Sequence, residues 1–367
     1  MPKWILAALA LVLGLLCCVV FLRTAASPAP EPVQTTAEQT SEPALSETLL
    51  ATAPQTVPVT VPETTEEAVP ETTEETVPET TVETVPETAE ATVPETQPHP
   101  QANPNYRLTA RNAFVYDCSA GVVRFSKGNM DAQIAPASIT KLLTAYVALQ
   151  YLEPDTVVTC GTEATWIVPA ASVAGVRPGD RVTVEVLIQG MMLQSGNDAA
   201  QVLAVAAGRA IRPDCGPKEA LSVFMDTVNS TAPELGLTGT HFETPDGMDT
   251  WKHYTTPNDM LTLGLLVMEH PLLRHYTGMA KATVTFEDGT TREYKNSNFL
   301  LQTDSKFYSP DACGMKTGTT KKAGSCLMAL FHNGEGYVLI GVFGCQEQED
   351  RYRDALQLYA MYGAPGD

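Results

Sequence analysis

An eight-residue repeat in the first third of the chain limits which part of it can form a folded core. The tetrapeptide Val-Pro-Glu-Thr begins at Val61, Val69, Val77, Val85 and Val93. Its period is too short and too polar to bury a hydrophobic face, and regular proline among like-charged glutamates favours extended polyproline II. We therefore interpret residues 27–105 as a disordered Pro/Thr/Glu-rich stalk of at most ~245 Å, and residues 106–367 as the folded domain.

The charge is distributed unevenly along the chain. Residues 1–105 contain 15 glutamates and two basic residues, Lys3 and Arg23, so they carry −13 of the formal net charge of −20. Nucleic-acid binding requires clustered lysine and arginine. The sequence therefore predicts no nucleic-acid partner, while residues 106–367 are numerous enough for one large core.

The amino-terminal segment is apolar. Trp4 to Leu22 is a run of 19 residues without a charge, flanked by Lys3 and Arg23. Because this run is long enough to cross a bilayer and longer than a usual signal-peptide core, we favour an uncleaved membrane anchor at residues 1–26. A signal peptide removed near Thr24-Ala25-Ala26 is the alternative. Both interpretations predict an extracytoplasmic domain.

Within the domain, strand patterns occur at both ends and mainly helical patterns between them. Predicted strands are Asn112–Asp117, Val122–Ser126, Ala282–Phe286, Thr291–Tyr294, Gly314–Gly318, Ser325–Phe331 and Tyr337–Phe343. Predicted helices run from Ser138 to about Leu152 and over Ala199–Ala210, Ala220–Thr231, Pro257–Met268 and Asp350–Tyr362, with mixed spacing over Val182–Leu193. This order predicts an α/β fold in which sequence-distant strands close one sheet, with an inserted helical lobe and a cleft between the two.

The first candidate for chemistry is the pair Ser138-x-x-Lys141. Pro136 and Ser138 are typical of a helix start, so the hydroxyl is expected in the first turn and the amine one turn further on the same face. A lysine buried against the apolar run that follows favours its neutral amine, which can accept the serine proton. Alone, such a pair more often means a helix cap and a lysine that reaches solvent.

Two further motifs are equally weak when taken singly. Ser195-Gly196-Asn197 lies between two apolar helical runs, where a hydroxyl can relay protons and an amide can hold a lysine amine, or the motif can simply cap a helix. Lys316-Thr317-Gly318 lies in a predicted strand. There the first two residues can bind a carboxylate and Gly318 can let a substrate backbone approach, or the motif can be a surface strand end.

Together, these three motifs occur once each and in the order found in serine D-alanyl-D-alanine carboxypeptidases. The chain resembles this family of low-molecular-weight penicillin-binding proteins, in the β-lactamase/transpeptidase-like superfamily, from about Tyr106 to Gly363. Further matches are Ser195 to Ala199, His253-Tyr254-Thr255-Thr256, Asn296-Ser297-Asn298, and Lys316 to Thr320 through Ala323-Gly324. The resemblance implies an α/β (α+β) fold with a five-stranded antiparallel sheet flanked by helices and an inserted, mostly helical lobe.

The resemblance also implies catalytic roles. Ser138 would be the acylated nucleophile and Lys141 its general base. Ser195 and Asn197 would line the cleft and help to shuttle protons, and Lys316 would act as an electrostatic and proton-relay group.

Substrate binding is implied for four residues. Thr317, with Gly318 beside it, would bind the terminal carboxylate of the substrate together with Arg351, which lies 35 residues beyond Lys316. The backbone N–H groups of Ser138 and Thr319 would form the oxyanion hole.

The implied reaction removes the terminal D-alanine from peptidoglycan stem pentapeptides, at the outer face of a bacterial membrane or in the cell wall. β-Lactams would acylate the same serine, and no cofactor or metal is implied. A β-lactamase is an alternative, although class A enzymes favour Ser-Asp-Asn and an added glutamate base. A non-catalytic β-lactam sensor or wall-binding module on a stalk, and a D,D-endopeptidase, are others.

Some features depart from the family or carry no assignment. Family members usually continue into a β-rich domain and an anchor helix, whereas this sequence stops at Asp367, so we expect the amino-terminal segment to replace that anchor. Thr244 to Met248 differs from the commoner His-Gly-Leu form, which we interpret as packing variation. The domain's six cysteines allow up to three disulfides in any of 15 pairings, or free thiols, and none has zinc-site spacing.

Overall fold

A computed structural model describes residues 101–334 and 336–364. The predicted anchor or signal at residues 1–26, and all of the predicted stalk except its last five residues, lie outside the described residues, and both stay predictions. Among the residues that are described, no helix is both long and apolar enough to cross a bilayer.

Nine strands and seven helices are described, together with three short 3-10 turns. The strands are β1 (Asn112–Asp117), β2 (Val122–Lys127), β3 (Val157–Thr159), β4 (Arg181–Thr183), β5 (Lys281–Thr285), β6 (Thr291–Lys295), β7 (Ala312–Thr320), β8 (Gly324–His332) and β9 (Tyr337–Cys345). The helices are α1 (Lys141–Ala148), α2 (Val184–Met192), α3 (Asn197–Ile211), α4 (Pro217–Glu234), α5 (Pro257–Glu269), α6 (Pro271–Gly278) and α7 (Asp350–Tyr362). The 3-10 turns are Ala137–Thr140, Thr162–Thr165 and Phe299–Leu301.

Five antiparallel strands form the central sheet, in the order β2-β1-β9-β8-β7. Strand β1 pairs with the carboxy-terminal strand β9, so sequence-distant segments close the sheet and the expected fold class is confirmed. Strand β7 lies at one edge, where a substrate peptide can reach its free backbone groups. The strand pairs β3-β4 and β5-β6 form two separate small sheets.

Alternating side chains of the sheet face two different cores. Met328 and Leu330 of β8 pack on the side of the helical lobe, in the same cluster as Leu142 and Leu143 of α1. Leu327 and Phe331 of the same strand pack on the opposite face, in the cluster that includes residues of α7. The period of two along a strand explains this division, and it requires both faces of β8 to be apolar.

The lobe differs from the sequence prediction in three places. The helix expected from Ser138 to about Leu152 begins as a 3-10 turn and its α-helical part ends at Ala148. The stretch Val182–Leu193 divides into the end of β4 and helix α2, because Thr183 has extended backbone and its side chain accepts a hydrogen bond from Val186 N–H as an N-cap. The sequence does not predict α6, because eight residues show too little of a helical period.

Candidate active site

The predicted nucleophile lies in a strained turn pressed against the edge of the sheet. Ser138 is half-buried in the 3-10 turn that precedes α1, and Ala137 before it has a left-handed backbone with φ of 51°. A Cβ atom added to Gly318 of β7 would lie 2.8 Å from the Pro136 carbonyl oxygen and 3.0 Å from the Ser138 nitrogen. Gly318 therefore lets the turn itself approach β7, which is a different reason for glycine than the expected approach of a substrate backbone. Left-handed residues that are not glycine cost about 1–3 kcal/mol each and cluster at active sites.

Lys141 is fully buried one turn beyond the serine and uses all three of its donors. Its ammonium group donates to Ser138 Oγ at 2.9 Å, to Asn197 Oδ1 at 2.9 Å and to the Asp246 carbonyl at 2.7 Å. Burial lowers the pKa of Lys141 from 10.5 to about 8, although the charges of Asp246 and Asp198 partly offset this. A lysine with this pKa is about one-tenth neutral at pH 7, and so can accept the proton of the adjoining hydroxyl.

The loop between α2 and α3 brings in the second motif. Ser195 is buried and has a left-handed backbone with φ of 58°, and Asn197 begins α3 and is also buried. The carboxylate of Asp198 holds this loop because it accepts hydrogen bonds from the backbone N–H groups of Ala174, Gly175 and Val176 at 2.7–3.0 Å. The sequence includes Asp198 in the matched motif but gives no sign of this structural task.

Lys316 reaches the cleft from the opposite wall. It is buried in β7 and donates to Ser195 Oγ at 3.0 Å and to the Thr317 carbonyl at 3.1 Å. Burial holds the pKa of Lys316 well below its usual value of 10.5, and the nearby charges of Lys141 and Arg351 lower it further. The structure therefore brings together the three predicted motifs, although 178 positions separate Ser138 from Lys316.

The residues predicted to bind a carboxylate lie together along β7 and the start of α7. The hydroxyls of Thr317 and Ser297 are 2.9 Å apart, and buried Arg351 donates to Thr319 Oγ1 at 2.8 Å and to the Gly318 carbonyl at 3.2 Å. Arg353, the other arginine in this sequence region, instead pairs on the surface with Glu349 and Asp350. Arg351, not Arg353, thus lies beside the third motif.

A stretch without a predicted role also lies in the site. The Asp246 carbonyl is the 2.7 Å acceptor for Lys141, and it lies 3.4 Å from Ser138 Oγ. Next to it, Gly247 has φ of 86°, and a Cβ atom there would lie 1.9 Å from the Ala137 carbonyl oxygen. The Thr244–Met248 stretch therefore supplies main-chain contacts to the site and is more than packing. The glycine at position 247 could have indicated a turn or a close backbone approach, but the sequence does not reveal which segment it approaches.

The cysteines of the described residues form no disulfide, and one of them, Cys326 of β8, pairs with Gly318 of the third motif. All six cysteines in the described part of the chain have free thiols: Cys118, Cys160, Cys215, Cys313, Cys326 and Cys345. Burial raises the pKa of the Cys326 thiol to about 11, which keeps it protonated near neutral pH. Within residues 101–334 and 336–364, no group of three or more His, Cys, Asp or Glu side chains is arranged to hold a metal ion.

Comparison with known sequences identifies similar proteins over this domain. The family described as D-alanyl-D-alanine carboxypeptidase matches residues 96–346. The D-alanyl-D-alanine carboxypeptidase DacC of Escherichia coli is 33% identical over 261 residues, which is 68% of this chain and 60% of DacC. The carboxypeptidase DacF of Bacillus subtilis is 31% identical over 248 residues, which is 66% of this chain and 59% of DacF. The chain thus spans about three fifths of the length of these curated relatives.

Solved structures give the same picture of the fold. The Streptomyces K15 DD-transpeptidase matches with a TM-score of 0.63 and 28% sequence identity, over 70% of this chain and 98% of that chain. Penicillin-binding protein D2 from Listeria monocytogenes in its ampicillin-bound form matches with a TM-score of 0.57 and 26% identity, over 70% of this chain and 98% of that one. Both likenesses span 98% of the solved chain, so they concern the whole domain and not one motif.

Proposed function

The chain belongs to the serine D-alanyl-D-alanine carboxypeptidase family, and we propose that it removes the terminal D-alanine from peptidoglycan stem pentapeptides. One observation carries this proposal. A fully buried lysine with a pKa lowered to about 8 donates at 2.9 Å to a half-buried serine hydroxyl in the same cleft. That pair is an activated nucleophile of the kind that acyl transfer requires.

Acylation follows from the positions of four side chains. The hydroxyl of Ser138 attacks the carbonyl carbon between the two D-alanines, while its proton passes to the neutral amine of Lys141. The backbone N–H groups of Ser138 and Thr319 stabilise the oxyanion, a type of contact worth about 10²–10³ in rate. The proton held by Lys141 then passes to the nitrogen of the leaving D-alanine by way of Ser195, which accepts a hydrogen bond from Lys316 at 3.0 Å and which receives one proton as it gives up another. Water then attacks the ester and loses a proton to Lys141, which returns it to the oxygen of Ser138 as the ester bond breaks.

Recognition of the free carboxylate is the second part of the proposal. Thr317 and Thr319 present hydroxyls from β7, and Arg351 already donates to one of them at 2.8 Å. A bound carboxylate would accept hydrogen bonds from these hydroxyls and gain the nearby charges of Arg351 and Lys316. This arrangement favours substrates with a free carboxy terminus over internal peptide bonds, and so supports carboxypeptidase above D,D-endopeptidase activity.

β-Lactams are proposed as further ligands, because they resemble the acyl-D-Ala-D-Ala end and would acylate Ser138. The similarity to an ampicillin-bound penicillin-binding protein supports this. A β-lactamase is less well supported, because the second motif is Ser-Gly-Asn and not the Ser-Asp-Asn of class A enzymes.

A second candidate activity is transpeptidation, supported by the similarity to a DD-transpeptidase over 98% of that chain. In this reaction an amine, instead of water, attacks the acyl-Ser138 ester. The two activities share every step up to the acyl-enzyme and differ only in which nucleophile enters the cleft.

The proposed location is the outer face of a bacterial membrane, where peptidoglycan is accessible. The uncharged run Trp4 to Leu22 supports an anchor, and the Pro/Thr/Glu-rich residues 27–105 support a spacer between membrane and wall. Protease shaving of intact cells tests this, because the domain should be removed while a short membrane-bound fragment remains.

Mass spectrometry of the full chain tests the activity. After incubation with a pentapeptide ending in D-Ala-D-Ala, we expect free D-alanine, and after penicillin we expect an adduct on Ser138. Ser138→Ala should abolish both. A lasting penicillin adduct without D-alanine release would favour a sensor, and hydrolysis of penicillin within seconds a β-lactamase. Added glycine distinguishes the second candidate, because a transpeptidase would form a peptide with glycine in place of the terminal D-alanine.

A further inference from the structure

One aromatic side chain stands far out from the surface next to the cleft. Trp251 is 92% exposed, whereas no other large apolar side chain recorded as exposed in the described residues is above 49%. Single exposed apolar residues are common on proteins and need no explanation by themselves. Trp251 differs because of the loop that carries it, residues 244–252, which also supplies the Asp246 carbonyl to Lys141.

This loop is fastened to the far end of β7. The carboxylate of Asp249 accepts hydrogen bonds from Thr320 Oγ1 at 2.6 Å and from the Lys322 backbone N–H at 2.9 Å. The ammonium group of Lys322 donates to the Thr250 carbonyl at 3.3 Å. The residues beside Trp251 are therefore held to the β7-β8 turn while the indole itself projects into solvent. Such an arrangement fixes an aromatic surface without covering it.

The course of the substrate along β7 follows from the proposed function, on which this step rests. The terminal carboxylate is proposed near Thr317 and the scissile carbonyl at the Thr319 N–H. Going from the carboxy-terminal end of the substrate toward its amino-terminal end therefore means going from Thr317 toward Thr319 along β7. The rest of the stem peptide must then continue in the same direction, past Thr320. An extended peptide advances about 3.3 Å per residue, the same as a strand. Strand β7 ends at Thr320, so the stem residue two positions before the scissile carbonyl comes to the start of the β7-β8 turn, beside the fastened loop.

Both acidic and basic side chains surround the place where the substrate leaves β7, and the basic ones include exposed lysines. Lys252, Lys321 and Lys322 are exposed there. The exposed carboxylates nearby are Asp249 and Glu243, and Asp246 of the same loop is buried. Asp249 is already hydrogen-bonded to Thr320 and Lys322, and Glu243 accepts a hydrogen bond from the Lys252 backbone N–H at 3.0 Å. The amino-terminal half of a stem peptide contains a glutamyl residue with a free carboxylate. An exposed lysine pair and an indole face suit the carboxylate and the aliphatic part of such a segment.

We propose that Trp251 and the lysines of the β7-β8 turn form a subsite for the amino-terminal, carboxylate-bearing half of the stem peptide. The indole packs against the backbone and aliphatic atoms of that half, and Lys321 and Lys322 lie near its carboxylate. This subsite is remote from the scissile bond. It therefore discriminates between long and short substrates ending in the same D-Ala-D-Ala.

Substrate length provides the test. The full chain, its Trp251→Ala variant and its Trp251→Phe variant are compared on the whole pentapeptide and on an N-acetylated tripeptide of its last three residues. We expect Trp251→Ala to lower kcat/KM for the pentapeptide about tenfold and for the tripeptide less than about twofold, with most of the loss restored in Trp251→Phe. Equal losses on both substrates would indicate a structural role for Trp251, and no loss on either would also overturn the proposal.

The occupant is tested with two altered substrates. Lys321→Gln should lower kcat/KM for the normal pentapeptide. It should leave kcat/KM unchanged for a pentapeptide whose glutamyl carboxylate is converted to an amide. If Trp251→Ala impairs only a substrate that carries the disaccharide, the indole stacks on a sugar and the peptide subsite is wrong.

Failure of the proposed reaction remains distinguishable from failure of the subsite. Release of D-alanine from the tripeptide by the wild-type chain tests the reaction without using the subsite. Binding of the pentapeptide and tripeptide to Ser138→Ala, measured by calorimetry, tests the subsite without turnover. Tighter binding of the pentapeptide that disappears in Ser138→Ala/Trp251→Ala supports the subsite, and equal binding of both peptides overturns it.

Discussion

Two buried lysines face each other across the cleft, and their surroundings differ more than their burial does. Lys141, on the helical wall, has three oxygen acceptors and the charges of Asp246 and Asp198 nearby, and its pKa falls only to about 8. Lys316, on the strand wall, donates to one hydroxyl and one carbonyl, and the positive charges nearby lower its pKa further than burial alone.

The comparison shows that desolvation lowers the pKa of a buried lysine, and that neighbouring charges decide how far the pKa falls. Burial lowers the pKa of Lys141, and the carboxylates near it limit this fall to about 8, a value at which the amine can both accept and return a proton. Lys316 lies beside Lys141 and Arg351, which together favour its neutral form until an anion arrives. The two walls are thus suited to different tasks, proton transfer on one and carboxylate recognition on the other.

The largest expected effect is on the helical wall. Lys141→Met keeps a long apolar side chain but removes the amine 2.9 Å from Ser138 Oγ. We expect kcat/KM for D-alanine release to fall about 10³-fold, since general-base catalysis contributes about 10²–10⁴. Lys218→Met, at an exposed lysine on α4, is the matched control. Retention of more than a tenth of the activity would mean that Lys141 is not the base.

The same substitution on the strand wall should cost less. Lys316→Met removes the donor to Ser195 and a charge near the proposed carboxylate site, and we expect a loss of about 10². Rates of penicillin acylation and of peptide cleavage, measured in both variants, rank the two lysines. If the Lys316→Met loss exceeds that of Lys141→Met, the assignment of tasks to the two walls is reversed.

Substitution of Arg351 should impair only carboxylate recognition, the task proposed for the strand wall. Removal of its guanidinium in Arg351→Leu should lower kcat/KM about tenfold for a substrate with a free terminal carboxylate, since a hydrogen bond to a charged group contributes about 1.5–3 kcal/mol. A substrate with a terminal amide should be nearly unaffected by the substitution. Comparable losses on acid and amide substrates would contradict a carboxylate role for Arg351.

The smallest expected effect is on the pH dependence of kcat/KM, which reports the pKa of Lys141 separately from that of Lys316. Lys141 must be neutral to act as a base, so kcat/KM should rise as pH increases through about 8, the pKa of this amine. The Asp246 charge raises the pKa of Lys141, so Asp246→Asn should move this rise to lower pH. Asp155→Asn, an exposed change elsewhere, is the control. A shift to higher pH would show that the sign of this interaction is wrong.

Much of the fold was predictable because its signals are local. The final helix has the predicted bounds Asp350–Tyr362, and the β7, β8 and β9 segments were predicted to within two residues at each end. Their apolar and turn residues follow the helix and strand periods closely. The α6 helix was not predictable in the same way, because its packing against other elements, more than its eight residues, stabilises it.

The site likewise combines features that local residue patterns predict with features that depend on tertiary packing. The choice of Arg351 over Arg353 depends on which face of α7 packs against the sheet, and the contact of the Asp246 carbonyl depends on a loop 105 positions from Lys141. Neither leaves a trace in residue spacing. The left-handed backbones of Ala137 and Ser195 are also invisible in the sequence, because both residues normally adopt negative φ.

The sequence by itself determined which part of the chain can fold and which groups occur together within one turn. A proline- and glutamate-rich repeat cannot bury a core, and a three-residue spacing on a helical turn brings Ser138 and Lys141 together wherever that turn lies. Only the tertiary structure decided that Lys316 lies across from them and that the pKa values of the two lysines differ. Both depend on desolvation and on charges from distant segments, which exist only once the sheet and the lobe are packed together.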